Sequence, residues 1–421
     1  MRSNRALILI LVVFAILSAT YSCVTRLKYG PDEPAHFIYV RSIADRLALP
    51  PISHEVTPTE ESVATHEGHQ PPLYYALLAF PYAMLSALGA SNEAIWRALR
   101  LVNIPLGLLW VCAVYALAFE FFQDRKRALT TAAFVALIPT SSYTAGVINN
   151  ENLIAPLVTW SLIPMLSYFR TGSMSRRSAV WLGLLVGLSI LTKAQGLVLI
   201  VMLLIASVAV LRRAGYRNWK QVLAGFATVI GVAAVVSGWW FARNYGVYGE
   251  PLPQSLYKPI FPNGLADVLA APGQALSAAY FASCLTYGHF WIPYWLVQPH
   301  VPFLSYFYPL SVLTAIVVTG FAARVLRNHD LDRRSLAFLL AAPVFVYLLW
   351  LRHALFVDAG ANMQGRLFLC VAGIVGIVWV LGIEGLARSQ SARSVVFAAF
   401  FALLLAVNAA VIAGAAALYS H

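Results

Sequence analysis

Long apolar stretches recur along the whole of this 421-residue chain, and they constrain its fold more than any other feature. Segments such as 6–25, 222–241 and 395–418 approach the roughly 17–25 residues that a helix needs to cross the hydrocarbon core of a bilayer. Hydrophobic residues make up 60% of the chain and charged residues only 11%, and no soluble core could absorb so many apolar segments. The sequence therefore predicts an all-α polytopic membrane protein.

The net charge of +12 reflects membrane topology rather than a nucleic-acid partner. Most of the 29 lysines and arginines lie in alternating connections between apolar segments. By the positive-inside rule, such clusters mark the cytoplasmic face. We therefore expect membrane lipid as a partner and no nucleic acid. The clusters are Arg2/Arg5, Arg125–Arg127, Arg170/Arg176/Arg177, Arg212/Arg213/Arg217/Lys220, Arg324/Arg327/Arg333/Arg334 and Arg388/Arg393.

Placing these clusters inside predicts about eleven transmembrane helices in one domain that spans residues 1–421. The N-terminus is then cytoplasmic, with an uncleaved first span, and the C-terminus is extracytoplasmic. Helix contacts rich in Gly and Ala are expected. The predicted spans are 6–25, 101–122, 128–148, 151–169, 179–193, 195–211, 222–241, 303–323, 335–351, 367–386 and 395–418.

Two outer loops are long, 26–100 and 243–302, whereas the cytoplasmic loops are short. Segment Pro72–Leu88 in the first outer loop is apolar enough to cross, but a crossing there would invert the sidedness of every later loop. We therefore predict that it is re-entrant or lies at the outer interface as a juxtamembrane helix. Pro81 within it and its marginal length fit this interpretation.

The motif GPDEPAHF at residues 30–37 follows the first span almost immediately. Pro34 suits the first turn of a helix, so Asp32 and Glu33 would lie at a helix N-terminus, where the dipole favours carboxylates. His36 would lie one turn further on. The pair could be an ordinary helix cap, or it could supply the general base for a hydroxyl acceptor.

A second motif, HEGHQPPLYY at residues 66–75, lies at the far end of the same loop. If the loop folds back on itself, Asp32, His36, Glu67 and His69 could hold a divalent metal ion, since imidazole and carboxylate suit several such ions. Hydrogen bonding to a polar substrate is the plainer role. The sequence requires no cofactor, and the metal ion is the alternative.

Further polar groups are predicted on the same face. Asn150 belongs to an Asn-Asn-Glu connection that could be a simple polar turn. Lys193, with Gln195, interrupts a long apolar run and would lie at the outer end of a helical hairpin. A lysine in such a place is a candidate phosphate ligand, although it could also reach toward the headgroups.

Two arginines lie on the predicted outer face, where the positive-inside rule makes basic residues uncommon. Arg243 and Asn244 end a span directly after two tryptophans, which by themselves are typical of an aromatic belt. Gln364 and Arg366 enter another span from the same side. An anionic group such as a lipid phosphate in the outer leaflet would explain both arginines, because guanidinium binds phosphate in a bidentate manner.

Taken in order, these motifs resemble the glycosyltransferase-C superfamily of multispanning enzymes, and in particular its protein O-mannosyltransferase and aminoarabinose-transferase branch. The set PDEPAHF, HQPPLYY, LTKAQGL, WWFARNYGVYGEPL and QGR is closest to a largely uncharacterised bacterial family related to that branch. The resemblance covers most of the chain. It implies transfer of a sugar from a polyprenyl-phosphate donor to a glycan, lipid or protein acceptor outside the cytoplasm.

The resemblance also implies roles for individual residues. Asp32 would be the general base, with Glu33 positioning it, in an inverting reaction. Three bases, Lys193, Arg243 and Arg366, would stabilise charge on the lipid phosphate. The remaining candidates for substrate binding are His36, Glu67, His69, Gln70, Tyr74, Tyr75, Asn150, Gln195, Asn244 and Gln364.

The chain departs from the pattern at three points. Gln70 replaces the lysine that precedes PPLYY in aminoarabinose transferases, Leu367 follows Arg366 where relatives often have tyrosine, and Asn150 with Glu151 stands at an often acidic position. A transporter or flippase of a lipid-linked or polar substrate is the alternative function. It would place ionisable groups nearer the middle of the membrane. The expected location is a bacterial inner membrane, with the site facing the periplasm or exterior.

Overall fold

The computed structural model of the protein describes residues 2–50, 52, 67–255, 259–293, 296, 302–327, 331–357, 364–387 and 389–419. Every regular element in these ranges is a helix, which confirms the predicted fold class. Short 3₁₀ helices cover Ala194–Leu197 and Gly365–Val371. The α-helices are α1 Arg2–Val24, α2 Glu33–Arg46, α3 Leu73–Ala87, α4 Asn92–Phe122, α5 Arg125–Leu137, α6 Pro139–Ala145, α7 Glu151–Thr171, α8 Arg176–Thr192, α9 Val198–Arg213, α10 Trp219–Tyr248, α11 Leu265–Ala270, α12 Pro272–Trp291, α13 Phe303–Arg327, α14 Arg333–Phe356, α15 Ala372–Leu386 and α16 Gln390–Tyr419.

Nine helical segments among the described residues are long and apolar enough to cross a membrane, and they coincide with nine of the predicted spans. The predicted span 128–148 is instead divided into α5 and α6. Ile138 between them is extended, with φ −63° and ψ 121°, as residues before proline prefer. The predicted span 179–193 is the 17-residue α8, at the lower limit for crossing. A count of eleven crossings therefore stays a prediction.

Two helix boundaries differ from the sequence prediction. Helix α4 begins at Asn92 rather than near Leu101, because the Ser91 hydroxyl caps it by accepting a hydrogen bond from the Ala94 amide at 3.3 Å. Helix α10 continues to Tyr248 and ends at Gly249, whose φ of +74° suits the left-handed position after a helix. The first predicted outer loop is therefore shorter than residues 26–100, and the second predicted outer loop begins later than residue 243 and contains α11 and α12.

Helix α3 covers the segment that was predicted not to cross the membrane. Its 15 residues span only about 22 Å at the usual rise per residue. Leu77, Phe80 and Met84 are exposed, while Tyr74 and Tyr75 are fully buried. This division into an apolar exposed face and a packed face is typical of a helix that lies against both lipid and protein.

The helix contacts include close approaches at glycine, as expected. A Cβ atom added to Gly183 or Gly187 of α8 would lie 2.7 Å from Val232 or Val236 of α10. Such small residues four apart let two helices pack closely in lipid. The tight packing fixes α8 against α10, and Lys193 directly follows the C-terminal end of α8.

Candidate active site

Buried polar residues gather at the end of the helix bundle where α1 ends and α2, α3 and α7 begin. Asp32 directly precedes α2 in the left-handed conformation, with φ +56°, and its side chain makes no capping hydrogen bond. One guanidinium nitrogen of Arg366 instead donates to the Asp32 carboxylate, and the Gln364 amide lies 3.5 Å from the same oxygen. Aspartate tolerates this backbone conformation better than most residues. The ordinary-cap alternative is therefore not what the structure shows.

Arg366 is held firmly at this position. Its second terminal nitrogen donates to the Pro31 carbonyl at 3.0 Å, while its Nε is buried and has no hydrogen-bond partner. Gly365 packs directly against α12, where an added Cβ would lie 2.0 Å from the Phe290 amide nitrogen. Close packing of the glycine thus sets the direction from which Arg366 enters the site.

Glu33, the neighbour of Asp32, is in a different environment. Its carboxylate is fully buried and receives the Arg100 Nε at 2.7 Å and a terminal nitrogen at 2.6 Å. The amides of Ile148 and Gly30 donate to it at 3.1 and 3.2 Å. With four donors around it, Glu33 has no free side for a substrate. These contacts fix the backbone next to Asp32.

Arg100 is a site residue that the sequence analysis missed. It is fully buried and donates to the Glu33 carboxylate. It also donates to the carbonyls of Ser22 and Thr25, at the C-terminal end of α1, at 3.0 and 2.7 Å. A charged residue at the start of an apolar stretch was the available signal, since such a residue needs a partner. The predicted start of the span near residue 101 had instead left Arg100 in the loop.

His36 joins α2 to α3 and to the connection before α7. Its Nδ1 lies 2.9 Å from the Tyr75 hydroxyl and its Nε2 lies 3.2 Å from the Asn149 side-chain nitrogen. Burial lowers the pKa of His36 to about 4, so the ring is neutral near pH 7. The Tyr74 hydroxyl accepts from the Asn149 amide and donates to Asn103, both at 2.8 Å. Both predicted tyrosines therefore serve as hydrogen-bonding supports for His36 and its neighbours.

Ligand atoms of Asp32, His36 and Glu67 all lie within 4.8 Å of one another. The Glu67 side chain approaches the His36 ring with 4.0 Å between Oε2 and Nδ1, and this buried oxygen has no hydrogen-bond partner. A neutral imidazole and two carboxylates suit a divalent transition metal. This donor set fits the predicted metal alternative, without His69 as a member.

Lys193 is already paired. Its ammonium group forms an ion pair with the Glu151 carboxylate and lies 3.3 Å from the Asn150 side-chain oxygen. Glu151 is fully buried on its side chain and Lys193 is only 12% exposed. Releasing Lys193 for a phosphate would leave a buried carboxylate unpaired, which is costly.

The other predicted residues lie around this centre. Gln70 contacts the His69 ring at 2.9 Å, and its carbonyl accepts from the Tyr39 hydroxyl at 3.1 Å. Gln195 donates to the Leu367 carbonyl at 3.3 Å. His66, the first residue of the second motif, lies outside the described residues.

Arg243 and Asn244 lie near the C-terminal end of α10. The guanidinium of Arg243 lies over the rings of Trp240 and Tyr248 at 5.3 and 5.4 Å and donates to Asn244 at 3.0 Å. Burial raises the pKa of the Tyr39 phenol above its ordinary value, and the charge of Arg243 opposes this. Arg243 therefore faces the Tyr39 side of the site.

Comparison with known proteins identifies a family and a fold. The family described as "Predicted membrane protein (DUF2142)" matches residues 48–375. No curated protein matches the chain.

Solved structures share the fold. ArnT from Cupriavidus metallidurans in the apo state is 16% identical, with a TM-score of 0.56 over 93% of this chain and 61% of that one. The Archaeoglobus fulgidus oligosaccharyltransferase in the apo form is 13% identical, with a TM-score of 0.52 over 97% of this chain and 56% of that one. At such low identity the likeness shows the fold alone. In fold the chain is therefore similar to these proteins, as the resemblance implied, and it spans only about three fifths of their length.

Proposed function

This chain belongs to the membrane-protein family DUF2142, and we propose that it is an inverting glycosyltransferase that uses a polyprenyl-phosphate-linked sugar as donor. The acceptor would be a glycan, lipid or protein on the extracytoplasmic face of a bacterial inner membrane. Among the solved structures that share the fold is an oligosaccharyltransferase tethered to an acceptor peptide, with a TM-score of 0.51 and 15% identity over 97% of this chain and 55% of that one. Support from within this chain comes from the geometry around Asp32.

The observation that carries the proposal is the setting of the Asp32 carboxylate. It projects from a left-handed residue at the end of the bundle, it is 20% exposed, and it is held by Arg366 rather than by its own helix. Non-glycine residues in rare backbone conformations concentrate at functional sites, where the surrounding structure enforces them. An accessible carboxylate beside a buried arginine offers a base and a phosphate ligand within one site.

In the proposed reaction, Asp32 accepts the proton of an acceptor hydroxyl or amine. The acceptor oxygen or nitrogen bonds to the anomeric carbon from the side opposite the lipid phosphate. The bond from that carbon to the phosphate oxygen breaks, and its electron pair leaves with the polyprenyl phosphate. One displacement inverts the anomeric configuration.

Arg366 is the preferred ligand for the leaving phosphate among the three candidate bases. Its Nε is buried without a partner, whereas Lys193 is held by Glu151 and Arg243 lies over two aromatic rings. A donor phosphate would compete with Asp32 for the guanidinium. This competition would release the carboxylate to act as a base at the moment when the donor is bound, because a carboxylate free of its cation is the stronger base.

A divalent metal ion would be held by Asp32, His36 and Glu67. Bound there, it would supply Lewis-acid stabilisation of phosphate charge. The neutral His36 ring and the unpartnered Glu67 oxygen are the features of this chain that would receive it. In that case Asp32 would be a ligand as well as the candidate base.

The test is transfer by Asp32→Asn in membranes whose polyprenyl-phosphate donors are made from radiolabelled nucleotide sugars. Mild acid removes label that remains on the lipid phosphate, so acid-stable label reports transfer. We expect a loss of roughly 10²- to 10⁴-fold, the usual contribution of a general base. The matched control is Asp45→Asn, since Asp45 is an exposed acid on α2, the helix that Asp32 directly precedes.

Full transfer by Asp32→Asn would remove Asp32 as the base. Asp32→Asn could instead leave the acid-stable label unchanged and abolish movement of the labelled lipid between leaflets. That result would favour the transporter or flippase alternative.

A further inference from the structure

A cavity of about 900 Å³ lies on the opposite side of α2 from His36. Pro34, Phe37, Ile38 and Arg41 line it, at the spacing that places residues on one face of a helix. His36 points to the other face, toward Tyr75. Helix α2 therefore separates two sites, and the mechanism proposed above uses only one of them.

The cavity is strongly basic. Arg26, Lys28, Arg41 and Arg97 line it, and the one acid in its lining is Glu93, which bonds Arg97 at 2.8 Å. Arg26 and Lys28 are exposed in the segment that follows α1. Such a concentration of positive charge favours an anionic ligand.

The wall of the cavity also contains a buried hydrogen-bond donor without a partner. Trp96 is 5% exposed, and its indole Nε1 makes no hydrogen bond. Its ring stacks on Phe37 at 4.1 Å between centroids, which fixes it between α4 and α2. Buried indole N–H groups normally find an acceptor. An anionic oxygen in the cavity would provide one.

The position of the cavity indicates that its ligand comes from the membrane. Cys23 and Val24, at the end of α1, and Ala416, near the end of α16, form part of its lining. Both helices are candidate spans, and only 22% of the most apolar window of each is buried by protein. Apolar chains of a lipid could lie along these helices while its headgroup occupies the cavity.

We propose that this cavity binds the phosphate headgroup of a membrane lipid. Basic groups at a membrane surface attract anionic headgroups, and arginine binds phosphate in a directed, bidentate manner. The site is separate from Asp32 and goes beyond the proposed transferase reaction. Arg100 donates to the Thr25 and Arg26 carbonyls and to Glu33, so the cavity wall and the start of α2 are held as one unit.

The experiment titrates the full chain, in an uncharged detergent, with dioctanoyl phosphatidic acid and measures bound lipid by native mass spectrometry. Dioctanoylglycerol, which lacks the phosphate, and inorganic phosphate are the comparison ligands. We expect phosphatidic acid to bind more tightly than either. The double variant Arg26→Gln with Lys28→Gln removes two bases and should weaken phosphatidic acid binding about thirtyfold, since each base contributes a factor of about five to the affinity.

Two further variants separate the site from general surface charge. Arg46→Gln with Arg352→Gln removes two exposed bases outside the cavity and should change binding by less than about twofold. Trp96→Phe keeps the stacked ring but removes the N–H, and it should weaken binding about fivefold.

Equal losses in the two double variants would overturn the proposal, because binding would then follow surface charge. So would inorganic phosphate displacing the lipid at equal concentration, because the site would then take soluble phosphate. Binding should be unchanged in Arg366→Gln, which removes the candidate phosphate ligand of the active site and lies outside the cavity. Loss of binding in that variant would place the phosphate at the candidate active site instead, and would contradict a separate lipid site.

Discussion

Two neighbouring carboxylates, Asp32 and Glu33, are each paired with an arginine, but the two pairs have different surroundings. The Glu33–Arg100 pair is sealed, with side-chain exposures of 0% and 1%, whereas in the other pair Asp32 is 20% exposed and Arg366 is 8% exposed. Glu33 accepts from two backbone amides as well, and Arg100 donates to three backbone carbonyls. Arg366 keeps one nitrogen without a partner.

The difference indicates that the two ion pairs have different roles. A buried pair whose hydrogen-bonding groups are all satisfied holds backbone segments together and cannot exchange its partner for a substrate. A partly exposed pair can open, because water and ligand can replace either partner. We infer that Glu33–Arg100 stabilises the fold of the site and that Asp32–Arg366 takes part in its chemistry.

The largest expected effect comes from breaking the sealed pair. Arg100→Met should destabilise the protein by about 3–5 kcal/mol, because it leaves the Glu33 carboxylate buried without its cation. The measurement is the thermal unfolding midpoint of the protein in detergent, together with the yield of folded protein. Adding Glu33→Gln to Arg100→Met should recover part of the loss, since the uncompensated charge is then removed. A wild-type midpoint in Arg100→Met would show that the pair is not structural.

A smaller effect is expected at the accessible pair. Arg366→Lys keeps the positive charge but loses the forked geometry that contacts Asp32, Gln364 and the Pro31 carbonyl. We expect transfer to fall about a hundredfold, while the unfolding midpoint moves by only a few degrees. The measurement is acid-stable label at several donor concentrations. A lysine variant with normal transfer would show that directed phosphate contact is unnecessary.

The smallest effect is expected at Glu67. Glu67→Gln removes one carboxylate from the cluster with Asp32 and His36. If the cluster holds a divalent ion, affinity for Mn²⁺ or Zn²⁺ should fall about tenfold or more, as when a metal ligand or its immediate support is altered. Metal content after dialysis, measured by mass spectrometry on folded protein, reports this without any substrate. Equal and negligible metal content in wild type and variant would leave hydrogen bonding as the role of Glu67.

Much of the fold follows from the sequence because a helix that crosses the lipid must be apolar over a nearly fixed length. Nine spans coincide with predicted ones, and the turn at Lys193 lies where the predicted hairpin breaks. The errors are local. Pro139 divides one predicted span, and the Ser91 cap moves the start of α4 into the predicted loop. Pro139 and Ser91 were both visible in the sequence, but the span boundaries were predicted from apolar length instead.

The site was less predictable because its contacts join residues far apart in the chain. The sequence singled out Asp32, Glu33 and Arg366 as separate features, but it could not show which arginine pairs with which acid. Glu33 and Arg100 are 67 positions apart, and Asp32 and Arg366 are 334 apart. Lys193 was expected to bind phosphate, yet packing brings Glu151 against it. Pairing of this kind is decided by how the helices pack rather than by local sequence.

The most direct test of the different roles of Asp32 and Glu33 measures Asp32→Asn and Glu33→Gln side by side for both stability and sugar transfer. We expect Asp32→Asn to unfold within a few degrees of wild type but to lose transfer by at least about a hundredfold. We expect Glu33→Gln to lose several kcal/mol of stability and to lose transfer only in proportion to the folded protein that remains. An Asp32→Asn variant that is folded and fully active would contradict the central claim.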